Sequence, residues 1–324
     1  MKDELLPENV EVAVVGLGLM GCSICTCFLL AGHKTIAIAP IATDMIHAES
    51  RITKHLQKSF EEGLTKNQPD FYLKNLTITE DFQSLANTKI VVETTLEDIE
   101  IKASVYEKIE NVIAPTAILC SNTSAIPISI LQEKLKFPKR FLGLHWMEPS
   151  HTTRFLEIIC GEQTDPKYGE YLYNLSHLWE KEPALLKKDI RGFITNRLMY
   201  SVYREACYLV ENGYATVEDV DRSIRNSAGH WLAHAGVFRW MDLTGVAAYH
   251  TVMKDLLPTL SNQTEIPKLI DEIVKKGGKG VANAQGFYDY TAEEAKLWEE
   301  SYQDFSYEIR KLAMKYPADM IKKS

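Results

Sequence analysis

The stretch VEVAVVGLGLMGCSICTCFLLAG, residues 10–32, decides the fold of this chain. An apolar run of strand-like composition leads directly into the glycine-rich sequence GLGLMG, and an apolar run of helical length then ends at Gly32. The segment HKTIAIA that follows is typical of a second strand. Strand, glycine loop, helix and strand in this order form the first half of a dinucleotide-binding unit.

The spacing of the three glycines has a physical reason in such a unit. Gly16 allows the tight turn, Gly18 lets the backbone approach a pyrophosphate, and Gly21 lets the helix pack closely on the strand. The pyrophosphate then lies at the helix N-terminus, where unpaired N–H groups and the helix dipole favour an anion. We therefore expect the loop itself to bind the cofactor, through Gly16, Leu17, Gly18, Leu19, Met20 and Gly21.

The end of the second strand lacks the acid that usually binds the ribose hydroxyls of NAD. Ala39 and Pro40 stand there, and Asp44 follows several residues later. The first basic residue after the strand is Arg51. NAD is predicted over NADP because no cation stands where a 2′-phosphate would bind.

Further short strands alternate with helical segments, which indicates a doubly wound sheet. KIVVE ends at Glu93, AILCSN ends at Asn122, and RFLGLH and FLEIIC follow. Ligands of such sheets bind at the carboxyl ends of the strands. Polar residues that follow these ends are therefore candidate site residues: Ser121, Asn122, Thr123, Ser124 and His145.

The pattern changes near Asp189, after which apolar residues recur at the three- and four-residue spacing of helices. Residues 291–317 are predicted to form one long amphipathic helix, acidic early and basic late. The predicted fold class is α/β, with a Rossmann-type doubly wound sheet in residues 1–188 and a mostly α-helical C-terminal domain in residues 189–324.

Composition excludes several classes of function. The net charge of −8 disfavours nucleic acid or an anionic membrane as the main partner. No apolar run has the roughly 18 residues needed to span a bilayer, and the first ten residues have no apolar block typical of a signal peptide. The cysteines in GCSICTC have no second pair to complete a metal site, so no metal is expected. The chain is predicted to be cytoplasmic, where cysteines stay reduced.

Glu157 lies within the apolar run FLEII, where an ionised carboxylate would cost several kcal/mol unless a partner accompanies it. His145, at the end of the preceding strand, is the candidate partner. A histidine suits proton removal from an alcohol because its pKa lies near working pH, and a fixed carboxylate would stabilise its charged form. His151, in the intervening turn, is predicted to be an exposed loop residue.

Six sequence blocks, taken together, resemble the 3-hydroxyacyl-CoA dehydrogenase family. They keep their order and spacing: GLGLMG, VVETTLEDIEIK, SNTSAIPIS, FLGLHWMEP with FLEII, GFITNRL and GVFRWMDLTG. The resemblance runs from about residue 10 to residue 290. It implies a Rossmann-type domain, a helical domain that contains part of the substrate cleft and forms a homodimer, and hydride transfer between NAD and the C3 position of a 3-hydroxyacyl substrate in fatty acid metabolism.

The resemblance also implies roles for individual residues. By position in the motifs, His145 is the base, Glu157 is its paired carboxylate, and Ser124 and Asn196 contact the reacting oxygen. The residues that match positions near the cofactor are Thr94, Glu97, Lys102 and Glu148.

The sequence departs from the family where the substrate would bind. HWMEP has Glu148 where the family has asparagine, and His55 and Glu62 replace a serine and a lysine that contact CoA. The long helix after residue 290 is typical of relatives that act on free hydroxy acids, such as gulonate or carnitine dehydrogenases, and of lambda-crystallin. The leading expectation is a short-chain, 3-hydroxybutyryl-CoA-like substrate. A small free 3-hydroxy acid, or a non-catalytic crystallin-like or NAD-binding protein, are the alternatives.

Overall fold

The computed structural model describes residues 6–317, with residue 42 described by its backbone alone. Residues 1–5 lie outside this range. They include half of the segment for which no signal peptide was expected. The chain divides into two compact units, of which the first ends at Arg197 and the second begins at Leu198. The predicted boundary at residue 189 stays a prediction.

The first unit is built on one eight-stranded sheet. Its strands are β1 Val12–Val15, β2 Thr35–Ile38, β3 Leu76–Thr79, β4 Ile90–Glu93, β5 Ile118–Ser121, β6 Phe141–Trp146, β7 Phe155–Cys160 and β8 Glu182–Leu186. Their order across the sheet is 3-2-1-4-5-6-7-8, and every neighbouring pair is parallel except β6 and β7, which are antiparallel. The chain thus leaves β1 toward one side and later returns to its other side, which is the reversal at which doubly wound sheets bind ligands.

Helices cover both faces of this sheet. They are α1 Leu19–Leu30, α2 Ala42–Glu61, α3 Pro69–Leu73, α4 Ile99–Glu110, α5 Ile128–Gln132 and α6 Pro166–Ser176. All four residues of β1 are buried, and alternate ones belong to different cores: Val12 and Val14 pack with Phe28 of α1, and Val15 packs with Tyr106 of α4. A strand buried on both sides is expected to be apolar throughout, as this one is.

Helices account for nearly all of the regular structure described after Ile194. They are α7 Thr195–Glu211, α8 Val217–Ser223, α9 Gly229–Thr244, α10 Val246–Leu256, α11 Lys268–Lys275 and α12 Ala292–Lys315. Thr291 and Glu294 form a capping box that starts α12, and Lys315 lies in its last turn. The predicted α/β fold class and the predicted long C-terminal helix are both confirmed.

The edge strands β3 and β8 were not predicted. Their residues are exposed or only partly buried, so neither strand forms the buried apolar run by which the central strands were found. No helix within residues 6–317 is both long and apolar enough to cross a bilayer.

Candidate active site

The candidate site lies at the edge of the sheet where β1, β4, β5 and β6 end. Because these strands are parallel, the residues at or just past their carboxyl ends share this edge. Gly16 follows β1, Thr94 follows β4, Asn122 follows β5, and His145 is the penultimate residue of β6. The sheet therefore brings together residues from four of the predicted motifs.

The glycine loop has the shape expected for a dinucleotide. Gly16 has φ +102°, and a Cβ added to Gly21 would lie 1.9 Å from the carbonyl oxygen of Gly16, so both positions require glycine. The hydroxyl of Thr94 donates to that same carbonyl oxygen at 2.6 Å. A Cβ added to Gly18 would meet nothing within 4 Å, which leaves open space beside the N-terminus of α1. The loop residues thus fit a bound pyrophosphate.

Of the residues after β2, Ala39 packs in the hydrophobic core and Arg51 contacts the glycine loop. Ala39 is 1% exposed and packs in the core, so its side chain does not face the surface where a ribose would bind. The guanidinium of Arg51 donates to the carbonyl oxygen of Leu17 at 3.5 Å, so this first cation after β2 supports the glycine loop.

His145 and Glu157 form a buried pair. The antiparallel register of β6 and β7 places them directly opposite each other, and Nδ1 of His145 lies 2.7 Å from Oε2 of Glu157. Their side chains are 6% and 0% exposed. Because a carboxylate only accepts hydrogen bonds, the Nδ1 proton donates to it and Nε2 remains for a substrate.

The backbone before α7 fixes the other oxygen of Glu157. Its Oε1 accepts the N–H groups of Ile194 and Thr195 at 2.8 and 3.1 Å. Phe193 is buried with φ +50°, and its ring centroid lies 5.5 Å from that of His145. A positive φ at a bulky residue is uncommon and marks a strained position beside the pair. Sequence reasoning missed these contacts, although the motif GFITNRL contained the signal.

The turn that contains Ser124 is held from two sides. Oε1 of Glu97 accepts the Thr123 hydroxyl at 2.6 Å and the N–H groups of Ser124 and Ala125 at 2.9 and 3.1 Å. The side-chain amide of Asn196 donates to the carbonyl oxygen of Ser124 at 2.7 Å. Burial raises the pKa of Glu97, but the Thr123 hydroxyl, the charge of Lys102 and the backbone bonds outweigh it, and this pKa is lowered. The structure thus brings Ser124, Glu97 and Asn196 together.

Lys102, predicted to lie near the cofactor, is 1% exposed and faces Glu93. Its ammonium donates to the two carboxylate oxygens of Glu93 at 2.9 and 3.1 Å and lies 3.5 Å from Oε2 of Glu97. Glu93 was not among the predicted site residues, because a strand-end acid gives no local signal of what it contacts.

The prediction that His151 is exposed is wrong. His151 is 4% exposed, its Nδ1 lies 3.0 Å from the Ser23 hydroxyl, and its ring stacks on that of His55 with centroids 4.5 Å apart. Nδ1 of His55 lies 3.3 Å from the hydroxyl of Thr26 on α1. The turn after β6 folds back onto α1 and α2, which covers the imidazole ring of His151.

Of the remaining predicted site residues, Glu148 is exposed in this turn.

Comparison with known proteins shows the family of this chain. The chain matches the family description "3-hydroxyacyl-CoA dehydrogenase, NAD binding domain" over residues 11–190 and "3-hydroxyacyl-CoA dehydrogenase, C-terminal domain" over residues 192–290. A 5-formyl-3-hydroxy-2-methylpyridine 4-carboxylate 5-dehydrogenase from Mesorhizobium japonicum is 30% identical over 289 residues, which are 88% of this chain and 92% of the relative. A 3-hydroxybutyryl-CoA dehydrogenase from Mycobacterium tuberculosis is 29% identical over 283 residues, 86% of this chain and 98% of the relative.

A solved structure also superposes closely. The crystal structure of a 5-formyl-3-hydroxy-2-methylpyridine 4-carboxylic acid 5-dehydrogenase, described as an NAD⁺-dependent dismutase, has a TM-score of 0.87. It shares 28% identity and covers 93% of this chain and 97% of its own.

The fold and the cofactor loop define an NAD-dependent oxidoreductase of the Rossmann class. The chain belongs to the 3-hydroxyacyl-CoA dehydrogenase family, whose two domains match nearly all of residues 11–290. The resemblance found in the sequence, the enzyme class and the cofactor NAD are thereby confirmed.

Proposed function

We propose that this enzyme transfers hydride between NAD and the CH–OH carbon of a small carboxylic acid that carries no CoA, with His145 as the base. The observation that carries the proposal is the buried 2.7 Å contact between His145 and Glu157. It supports an imidazole whose Nε2 accepts the hydroxyl proton while Glu157 stabilises the resulting charge.

The cofactor supplies the hydride acceptor or donor, and side chains of this chain supply alignment and proton transfer. In oxidation the hydroxyl proton moves to Nε2 of His145, and in reduction the same nitrogen returns it. Ser124 and Asn196 are proposed to polarise the reacting oxygen where negative charge develops. The bond between the Asn196 amide and the Ser124 carbonyl supports a common position for these two residues. Thr94, the glycine loop and Glu148 are proposed to border the cofactor.

The preference for a substrate without CoA rests on α2 and the residue that follows it. His55 and Glu62 occupy the positions at which the family resemblance implies contacts with CoA. His55 is turned toward Thr26 and His151, and burial, followed by the charge of Arg51, lowers its pKa to about 4. The imidazole is therefore neutral near pH 7. Glu62, the residue directly after α2, pairs with Lys58 in the last turn of that helix at 3.1 Å, which partly neutralises the lysine cation. Neither position offers a cation to a CoA phosphate.

The relative from Mesorhizobium japonicum supports the same preference, because its name describes a pyridine carboxylate substrate. A short-chain 3-hydroxyacyl-CoA, such as 3-hydroxybutyryl-CoA, is the second candidate. It is favoured by the family match and by the relative from Mycobacterium tuberculosis. In that case the enzyme would act in fatty acid metabolism.

The experiment follows NADH absorbance with two sets of substrates. Free acetoacetate and formyl-substituted aromatic carboxylates form the first set, and acetoacetyl-CoA forms the second, with NADPH as a cofactor control. Turnover of free acids that is lost in His145→Ala is the expected result. Turnover of the thioester alone would contradict the preference and leave the second candidate, and NADH binding with no turnover of either set would contradict both.

We further propose a homodimer formed through residues 189–324, and a cytoplasmic location. The dimer is supported by exposure: among the described residues after Arg197, only Cys207, Ala295, Ser306, Tyr307 and Arg310 are buried. Large apolar side chains in this unit are instead exposed, including Phe238 at 80% and Ile266 at 70%. A unit of this size needs a larger buried core, and a second copy of the chain would supply it.

The proposed cytoplasmic location is supported by the six free cysteines, which are typical of a reducing compartment.

A further inference from the structure

Glu93, at the end of β4, is the most completely bonded carboxylate near the site, and the proposed chemistry does not use it. It is 0% exposed and accepts the Lys102 ammonium at 2.9 Å, the Tyr106 hydroxyl at 2.9 Å and the Ser121 hydroxyl at 2.7 Å. Its Oε1 also accepts the N–H and the hydroxyl of Thr95, both at 2.6 Å. A carboxylate that accepts from this many donors is held in one orientation.

Lys102 connects this buried carboxylate to the site. Beyond Glu93, its ammonium lies 3.5 Å from Oε2 of Glu97 and donates to the carbonyl oxygen of Thr95 at 3.4 Å. All three donor positions of the ammonium therefore have partners on residues 93–97. Two carboxylates share one cation, so the position of Lys102 depends on both of them.

Glu97 connects the position of Lys102 to the turn that contains Ser124. While Oε2 faces Lys102, Oε1 accepts the N–H groups of Ser124 and Ala125. A second route runs from Glu93 to the Ser121 hydroxyl, which accepts the N–H of Thr123 at 3.3 Å. Both routes start at Glu93 and end in the turn that contains Ser124.

We propose that Glu93 is a positioning residue: through Lys102 and Glu97 it fixes the turn that presents Ser124 to the reacting oxygen. Lys102 thereby acts toward the protein interior instead of on the cofactor. The neighbouring Thr94 donates to the Gly16 carbonyl, so the segment 93–97 joins the glycine loop to the Ser124 turn. The proposal rests on the proposed role of Ser124 in hydride transfer.

Removal of the charge at residue 93 has a defined consequence. Glu93→Gln keeps the size of the side chain but leaves Glu97 as the carboxylate that the Lys102 ammonium contacts. The ammonium is then drawn toward Glu97, and Oε1 of Glu97 moves off the Ser124 and Ala125 amides. A displacement of about 1 Å at a reacting group costs roughly 100-fold in rate.

The test compares Glu93→Gln with Glu97→Gln and with the double variant, using whichever substrate the wild type turns over. We expect kcat to fall about 10- to 100-fold in each single variant, while the dissociation constant of NADH changes less than about threefold. The double variant should lose no more than the larger single loss, because both changes break one chain of contacts. Glu100→Gln on α4 is the matched control, since it removes only the exposed ion pair with Lys134 and should leave kcat unchanged.

Three outcomes would overturn the proposal. Weaker NADH binding with unchanged kcat would place Lys102 on the cofactor, and unchanged kcat with lower thermal stability would make Glu93 a structural residue only. Losses of kcat that multiply in the double variant would show that Glu93 and Glu97 act independently. Should Glu93→Gln fail to fold, Glu97→Gln together with Lys102→Met tests the same chain of contacts.

A readout without turnover separates this proposal from the proposed function. Hydrogen exchange at the Ser124 and Ala125 amides should speed up at least about 10-fold in Glu93→Gln, whether or not a substrate is known. Unchanged protection of these amides would overturn the positioning role even in an active enzyme. Faster exchange in a protein that turns over neither substrate set would leave the positioning of the turn standing and contradict only the proposed function.

Discussion

The Nδ1 atom of His145 lies 2.7 Å from Oε2 of Glu157, and the other oxygen of Glu157 accepts two backbone N–H groups from residues 194 and 195. The carboxylate thus has a fixed place whether or not the imidazole is charged. This arrangement determines which nitrogen of His145 carries the proton.

Glu157→Gln is expected to lower kcat by about 10²- to 10⁴-fold, because the glutamine NH₂ would donate to Nδ1 and leave the proton on Nε2. The glutamine oxygen can still accept the two backbone N–H groups, so the fold should persist. Steady-state kinetics with NADH fluorescence titration would check both effects. A kcat within about threefold of the wild type would contradict the role of Glu157 as the orienting acid.

The glycine loop allows two substitutions with different expected outcomes. Gly21→Ala should lower the free energy of unfolding by about 1–3 kcal/mol or more, since its Cβ would collide with the Gly16 carbonyl. Gly18→Ala should leave unfolding without cofactor nearly unchanged, because its Cβ points into open space, yet should weaken NADH binding. Urea unfolding and NADH titration measure the two effects. Unchanged NADH affinity in Gly18→Ala would place the pyrophosphate elsewhere.

Stability should depend on pH through His55. Burial, then the charge of Arg51, lowers its pKa from 6.5 to about 4. The folded state therefore binds a proton less readily than the unfolded state. The contribution of His55 to stability is fully present above pH 6.5 and is lost as the pH falls from 6.5 toward 4. The loss should reach about 1–3 kcal/mol at pH 4, since one pKa unit corresponds to about 1.4 kcal/mol.

The measurement is urea unfolding of the wild type and of His55→Gln at pH 7.5, 6 and 5. The variant should be less stable at pH 7.5 but lose less on acidification. His33, whose pKa burial also lowers, contributes equally in both proteins. His47→Gln, an exposed position on the same helix, is the control and should follow the wild-type curve. Identical slopes in the wild type and His55→Gln would contradict the assignment.

The proposed dimer predicts a solution mass of twice the chain mass of 36.8 kDa. Light scattering coupled to size exclusion at about micromolar protein concentration would measure it, because an obligate dimer remains associated there. Substitution of exposed Phe238 by Glu should shift the mass toward the monomer if this surface is the interface. A monomeric wild type would rule out the dimer.

The sequence by itself determined the fold class and the edge of the sheet at which the candidate site lies. The glycine spacing in residues 16–21, the buried composition of the central strands and the change of periodicity near Asp189 are local patterns, and each element they predicted is present. The pairing of His145 with Glu157 could also be inferred, because a carboxylate in an apolar strand requires a partner and the two strands are adjacent in sequence.

Only the tertiary structure decided the contacts between elements distant in sequence. That Lys102 faces Glu93, that Glu97 holds the Ser124 turn and that His151 stacks on His55 all depend on strand order and on how the turn after β6 packs against α1 and α2. Local sequence indicates most of the helices, central strands and turns. The hydrogen-bond partner of a side chain depends on how distant elements pack against each other. The free energy of that packing is a sum over the whole core, so no local stretch of sequence determines it.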